Sequence, residues 1–286
     1  MRILLITLLI AQVAAPRRDR QLVLIGRDGT RTVVGTVPGS TFAPRISPDG
    51  REVVYDTSED GIFWIASLSD FASSRHRLTP EGGKRGALWS TDGKRILYIR
   101  DYQGAEALFW RPADGSGTEE LLANPARAPE SWMPGGRVLS FITLIAGGDY
   151  DIWTYSFDKK TAEPFVTIPT TPQHSSHFSP DGRWIAYVSA ESGRLEVYVR
   201  RATAGAPAIQ ITKNGGGHPL WSPDQKEMFF DNNGSMFAVA INPALPAFVT
   251  AEPQPLPISG FIQGPLRRQY DLMPDGKRFL MLFPSP

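Results

Sequence analysis

One sentence of sequence is written six times along this chain. It reads ISPDGREVVYD from Ile46, WSTDGKRILYI from Trp89, WMPGGRVLSFI from Trp132, FSPDGRWIAYV from Phe178, WSPDQKEMFFD from Trp221 and LMPDGKRFLML from Leu272. Counted from Ser47, Ser90, Met133, Ser179, Ser222 and Met273, the spacings are 43, 43, 46, 43 and 51 residues. A repeat of about 40–45 residues is the size of one four-stranded propeller blade. Three columns hold their chemistry. A large apolar residue precedes the turn, a base follows it (Arg51, Lys94, Arg137, Arg183, Lys226, Lys277), and Tyr55, Tyr98, Phe141, Tyr187, Phe230 or Met281 comes four residues later.

Each unit has a physical reading. In Ser-Pro-Asp-Gly the proline presets the first central dihedral of a type I turn, Asp suits the second, and Gly accepts the left-handed position that follows. The turn therefore joins a short strand to a longer, alternating one. A third strand follows at Gly61, Ala107, Asp151, Leu195 and Ser235, and a fourth at Arg75, Glu119, Glu163 and Ala208. The last unit has only two strands before Pro286, and the first residues, QLVLIGRDGTRTVVGTV, supply two strands without a preceding repeat. The two half-units complete one another. The sequence thus predicts an all-β, six-bladed β-propeller of four-stranded antiparallel blades over residues 18–286, closed by a composite blade of N- and C-terminal strands, with no unpaired sheet edge left to guard. The Pro-rich stretch NPALPAFVTAEPQPLPISG is expected to be an irregular outer strand and long loop.

Residues 1–17 read differently. Arg2 precedes an apolar run from Ile3 to Ala15, as in a signal peptide or the remnant of a membrane segment. Pro16 and the bases Arg17, Arg18 and Arg20 argue against clean cleavage. The expectation is an exported chain, periplasmic or otherwise extracytoplasmic, or one anchored through residues 1–15.

The recurring Ser-Pro-Asp-Gly, base, apolar and aromatic pattern resembles the TolB-like propeller repeat, over nearly all of the chain after Arg20. The segment His177–Arg201, GGGHPLWSPD and the terminal YDLMPDGKRFLML resemble most the propeller found C-terminal to the membrane segment of certain bacterial serine/threonine kinases. The resemblance implies a binding scaffold, the sensor portion of a receptor-kinase-like system. These residues contain no kinase Gly-rich loop, HRD or DFG.

Composition narrows the function. With 30 Lys plus Arg against 29 Asp plus Glu there is no electrostatic case for nucleic acid. The absence of cysteine removes disulfides, thiolate metal sites and cysteine nucleophiles. No Gly-x-Ser-x-Gly elbow supplies a hydrolase nucleophile. The aspartates of the turns (Asp49, Asp92, Asp181, Asp224, Asp275) lie one per blade and read as turn residues, not as a metal cluster. His76 falls in an outer strand. The remaining candidates are the polar residues at the starts of the first strands, which line a propeller's channel. They are His174 and His177 flanking the fourth, His218 at the fifth, and Arg85, Glu130, Arg267 and Tyr270 at comparable places. They are expected to form a channel rim that binds a protein, peptide or small-molecule ligand. A monomer without cofactor, resident metal or catalytic residue is expected. The alternative is a metal-dependent hydrolase or oxidoreductase at the channel mouth, for which the rim entries offer few acids apart from Glu130 and Asp271.

Overall fold

The computed structural model describes residues 18–57, 60–79, 81–145, 149–203, 205–242 and 249–286. The leader or anchor expected in residues 1–17 lies outside the described residues. The chain enters through β1 (Arg20–Gly26) and β2 (Arg31–Val37). Blade 1 holds β3 (Thr41–Ile46), β4 (Glu52–Thr57), β5 (Ile62–Ser67) and β6 (His76–Arg77), with a single helical turn, α1 (Phe71–Ser74), before β6. Blade 2 holds β7 (Lys84–Trp89), β8 (Arg95–Tyr102), β9 (Ala105–Pro112) and β10 (Glu120–Ala123). Blade 3 holds β11 (Ala128–Trp132), β12 (Val138–Leu144), β13 (Tyr150–Ser156) and β14 (Thr161–Val166). Blade 4 holds β15 (Gln173–Phe178), β16 (Trp184–Ser189), β17 (Glu196–Arg201) and β18 (Ile209–Gln210). Blade 5 holds β19 (Gly217–Trp221), β20 (Glu227–Asn232) and β21 (Ser235–Asn242). Its outer edge is shared by β22 (Val249–Thr250) and β23 (Gln254–Ser259), which pair with opposite ends of β21. The Pro-rich stretch thus gives two outer strands rather than one. Finally β24 (Tyr270–Leu272) and β25 (Arg278–Pro284) meet the N-terminal hairpin in the order β2-β1-β25-β24.

That last sheet closes the ring. β1 runs antiparallel to β25 without a break from Arg20 opposite Pro284 to Gly26 opposite Arg278. The core is divided among six clusters, one for each blade interface. Two belong to the closing blade. Val23, Ile25 and Phe279 pack on Phe229 and Met236 of blade 5, while Leu22, Leu24, Leu280 and Leu282 pack on Ile46, Val53 and Tyr55 of blade 1. Second strands are covered on both faces, so they lose the usual alternation; every residue of β16 is buried. Tyr55, Tyr98, Phe141, Tyr187, Phe230 and Met281, the repeat's constant column, are at most 2 % exposed and are core.

The turns are built as the sequence predicts, and they also join the blades. Asp49 accepts the Ser47 hydroxyl at 2.6 Å and the Arg51 amide at 3.0 Å, and Ser47 Oγ accepts the Glu52 amide at 2.9 Å. Blades 2, 4 and 5 repeat this around Asp92, Asp181 and Asp224. Gly276, at φ +70°, lies so close to Pro223 of blade 5 that an added Cβ would sit 2.8 Å from the proline ring. In three of the six units the large residue before the turn is tryptophan, and its indole joins blades. Nε1 of Trp89, Trp132 and Trp221 donates to the carbonyls of Arg45, Trp89 and His177 in the preceding blade, at 3.1, 2.8 and 2.9 Å.

Candidate functional site

The first strands β3, β7, β11, β15, β19 and β24 surround the channel. Five of them carry a bulge midway, where pairing to the second strand slips. At the bulge Ala43, Gly86, Ser175 and His218 adopt the left-handed region, with φ of 47°, 72°, 57° and 49°. Three of these are not glycine, so the backbone there is strained. A bulge leaves amides unpaired, and side chains of the preceding blade take them. Gln269 Oε1 accepts the Ala43 amide at 2.9 Å, and Asp56 Oδ2 accepts the Gly86 amide at 2.7 Å. Glu130 accepts the amides of Ser175 and Ser176, the latter at 2.7 Å, and the Ser176 hydroxyl. Burial pushes the Glu130 carboxyl up to about 7, against those hydrogen bonds.

The predicted rim residues do not form one ring. His174 and His177 lie within β15 rather than flanking it, because the strand begins earlier than the repeat suggests. The residues separate into three groups. In the first, Arg267 donates to Asp56 at 3.2 Å, while Arg85 and Arg127 both reach Glu106 of β9. Burial raises the Asp56 carboxyl although Arg267 opposes it, and its Oδ1 is buried without a partner.

The second group faces the Ser-Pro-Asp-Gly turns. Arg268 donates to Asp271 at 3.0 Å, and Asp271 accepts the Ile46 amide at 2.9 Å. Arg45 donates to the carbonyls of Pro44 and Arg268, at 2.8 and 3.0 Å. Burial, with the neighbouring Arg268 charge, pushes its guanidinium down to about 9. His177 lies beside them with Nδ1 buried and unpartnered; burial, then Arg268 and Arg45, bring it down to about 3. Arg45, Arg268 and Glu130 line both a narrow waist of about 30 Å³, enough for about one or two waters, and a wider mouth of about 300 Å³ that includes His177.

The third group lies off the channel waist. His218 Nδ1 is 2.8 Å from Asp231 Oδ1, and the Tyr270 hydroxyl is 2.8 Å from the His218 carbonyl and 3.1 Å from Asp231. Burial opposes the Asp231 charge, but His218 and the hydrogen bonds from His218 and Tyr270 together hold the carboxyl below its ordinary value. Burial takes the Tyr270 hydroxyl well above its own. The His174 ring centre is 6.5 Å from that of His218, and burial, then His218, bring His174 down to about 3.

The acids missed from the sequence are Asp56, Glu106 and Asp231, which come from second and third strands. A signal for two of them was present. Nine residues after each turn anchor the column reads Asp56, Ile99, Ile142, Val188, Asp231 and Leu282, two aspartates in an otherwise apolar position. Among the described residues no three His, Cys, Asp or Glu side chains gather so as to hold a metal ion.

Comparison with solved structures gives a candidate TolB from Agrobacterium tumefaciens at a TM-score of 0.73 and 20 % identity, covering 94 % of this chain and 99 % of that one. TolB from Acinetobacter baumannii follows at 0.60 and 17 %, covering 93 % and 63 %. By fold, the chain is a TolB-like propeller. No family model matches its sequence. Among curated proteins this TolB-like chain is 24 % identical over 222 residues to an uncharacterised protein of Agrobacterium fabrum, covering 72 % of this chain and 70 % of the relative. It is 28 % identical over 235 residues to dipeptidyl-peptidase 5 of Porphyromonas endodontalis, covering 70 % of this chain. It is 32 % identical over 124 residues to the Tol-Pal system protein TolB of Anaeromyxobacter dehalogenans, covering 40 % of this chain. The chain spans 30 % of that peptidase and 27 % of that TolB.

Proposed function

We propose that this propeller is a non-enzymatic binding scaffold outside the cytoplasm, which takes an anionic group of a protein or peptide partner at its arginine-lined channel. The observation that carries the reading is Arg45. Its hydrogen bonds go to main-chain carbonyls, so no hydrogen-bonded carboxylate neutralises its charge. Arg45 and Arg268 line the channel mouth of about 300 Å³, and a carboxylate entering there would gain charge-assisted hydrogen bonds in a partly desolvated setting. The closed ring holds these groups in place before binding, which lowers the ordering cost. The similarity to TolB proteins supports a scaffold, and the apolar N-terminal run supports export. The sensor portion of a receptor-kinase-like system is the specific setting this reading favours.

The test is affinity capture from bacterial envelope extract with the parent protein and with Arg45→Gln. A partner retained by the parent and lost from Arg45→Gln is expected. Identical captured sets, or none above a scrambled-surface control, would refute the reading.

A further inference from the structure

The third group contains a side chain that neither the turns nor the channel uses. His218 is 6 % exposed, and its Nε2 is buried without a partner. Its other nitrogen is held by Asp231, so the ring is fixed with Nε2 as its free face. The backbone there sits at φ +49°, a cost that placing a side chain can justify. Around it lies a pocket of about 210 Å³, lined by His174, Leu195, Gly215, Gly217, His218 and Asp231 among others. It shares no lining residue with the channel waist. Glycine lets the backbone pass close by; a Cβ on Gly215, at φ +92°, would sit 2.9 Å from the Asn232 side chain. His174, 3 % exposed, contributes a second imidazole, whose Nδ1 is 2.9 Å from the Ser175 hydroxyl.

A carboxylate behind an imidazole, with the opposite nitrogen free, is the arrangement that orients a histidine metal ligand. We propose that this pocket binds a divalent first-row metal ion of the imidazole-preferring kind, zinc, copper or nickel, through Nε2 of His218 and the second ring nitrogen of His174, with Asp231 holding His218 from behind. Metal–nitrogen bonds of about 2.0–2.1 Å would put the two ring centres about 5–6 Å apart. The observed 6.5 Å closes to that by a small rotation of His174, whose Nδ1 is tied only to a serine hydroxyl. Among the described residues no third His, Cys, Asp or Glu gathers with them, so the remaining positions belong to water, an open site. This inference is independent of the scaffold reading, since neither Arg45 nor the channel waist takes part.

The experiment is calorimetric titration of chelator-stripped full chain with Zn²⁺. One equivalent is expected per chain. His218→Asn, which keeps a residue tolerant of the left-handed backbone, and His174→Gln are each expected to weaken binding at least 100-fold, and Asp231→Asn about 10–100-fold. His76→Ala, at an exposed histidine of β6, should leave binding unchanged. No uptake by the parent, uptake that survives His218→Asn, or uptake lost in His76→Ala overturns the proposal. Should His218→Asn fail to fold, the ¹⁵N resonance of His218 Nε2 in the parent decides: it moves on zinc addition if the site is real, and stays if it is not.

Discussion

The Glu130 carboxylate of blade 3 accepts the Ser176 amide of blade 4 at 2.7 Å, which ties a channel-lining acid to the strained bulge of the next blade. That role is structural before it is anything else, and it sets a pH dependence. The carboxyl is raised to about 7 in the fold from an ordinary 4.5, so between those values the native state binds more protons than the unfolded chain. Stability contributed by this group is therefore full below pH 4.5 and falls as pH rises toward 7. Glu130→Gln should flatten that segment of the stability–pH curve, measured by urea unfolding at pH 4.5, 5.5 and 7. Glu130→Ala, which leaves the amides unpaired, should cost about 1–3 kcal/mol at every pH. An unchanged slope in Glu130→Gln would remove the assignment.

The turn glycines differ in what surrounds them. Gly276 and Gly93 share the left-handed conformation, at φ +70° and +68°, but a Cβ on Gly276 meets Pro223 at 2.8 Å while one on Gly93 finds its nearest atom, in Pro48, at 3.7 Å. Gly93→Ala should cost about 1–2 kcal/mol from backbone strain, and Gly276→Ala about 1–3 kcal/mol more from overpacking. Equal losses in chemical denaturation would show that the turns do not pack on one another.

Tryptophan indoles give a similar contrast. Trp132 Nε1 donates to the Trp89 carbonyl of blade 2, whereas Trp153 Nε1 is buried without a partner. Trp132→Phe should destabilise by about 1–3 kcal/mol through the orphaned carbonyl, and Trp153→Phe should be milder because it removes an unsatisfied donor. The reverse order of midpoints would contradict the inter-blade role.

The blades were legible because a packed ring repeats its environment, so the same columns must be filled six times. Ser47 to Glu52 and its copies announce both turn and strand, and the half-units at Leu22 and Phe279 announce closure. The site was less legible for two physical reasons. Ala43, Ser175 and His218 take left-handed backbone without being glycine, so nothing in their identity marks the bulge. Asp56 and Asp231 act from second strands, where the repeat directs attention to core, and His177 faces Arg45 and Arg268 while His218 faces Asp231. His174, three residues before His177, lines the pocket of His218 and Asp231 instead, so even histidines that share a strand serve different groups.

The channel exists because the ring is closed by β1 against β25. The chain has no cysteine, so a pair can be introduced without competition at Arg20 and Pro284, which face one another across those strands. Arg20→Cys with Pro284→Cys, oxidised, should form one intramolecular disulfide and gain about 2–4 kcal/mol over its reduced form in guanidinium unfolding. A pair that stays reduced, or links only between molecules, would mean that the two ends do not share a blade.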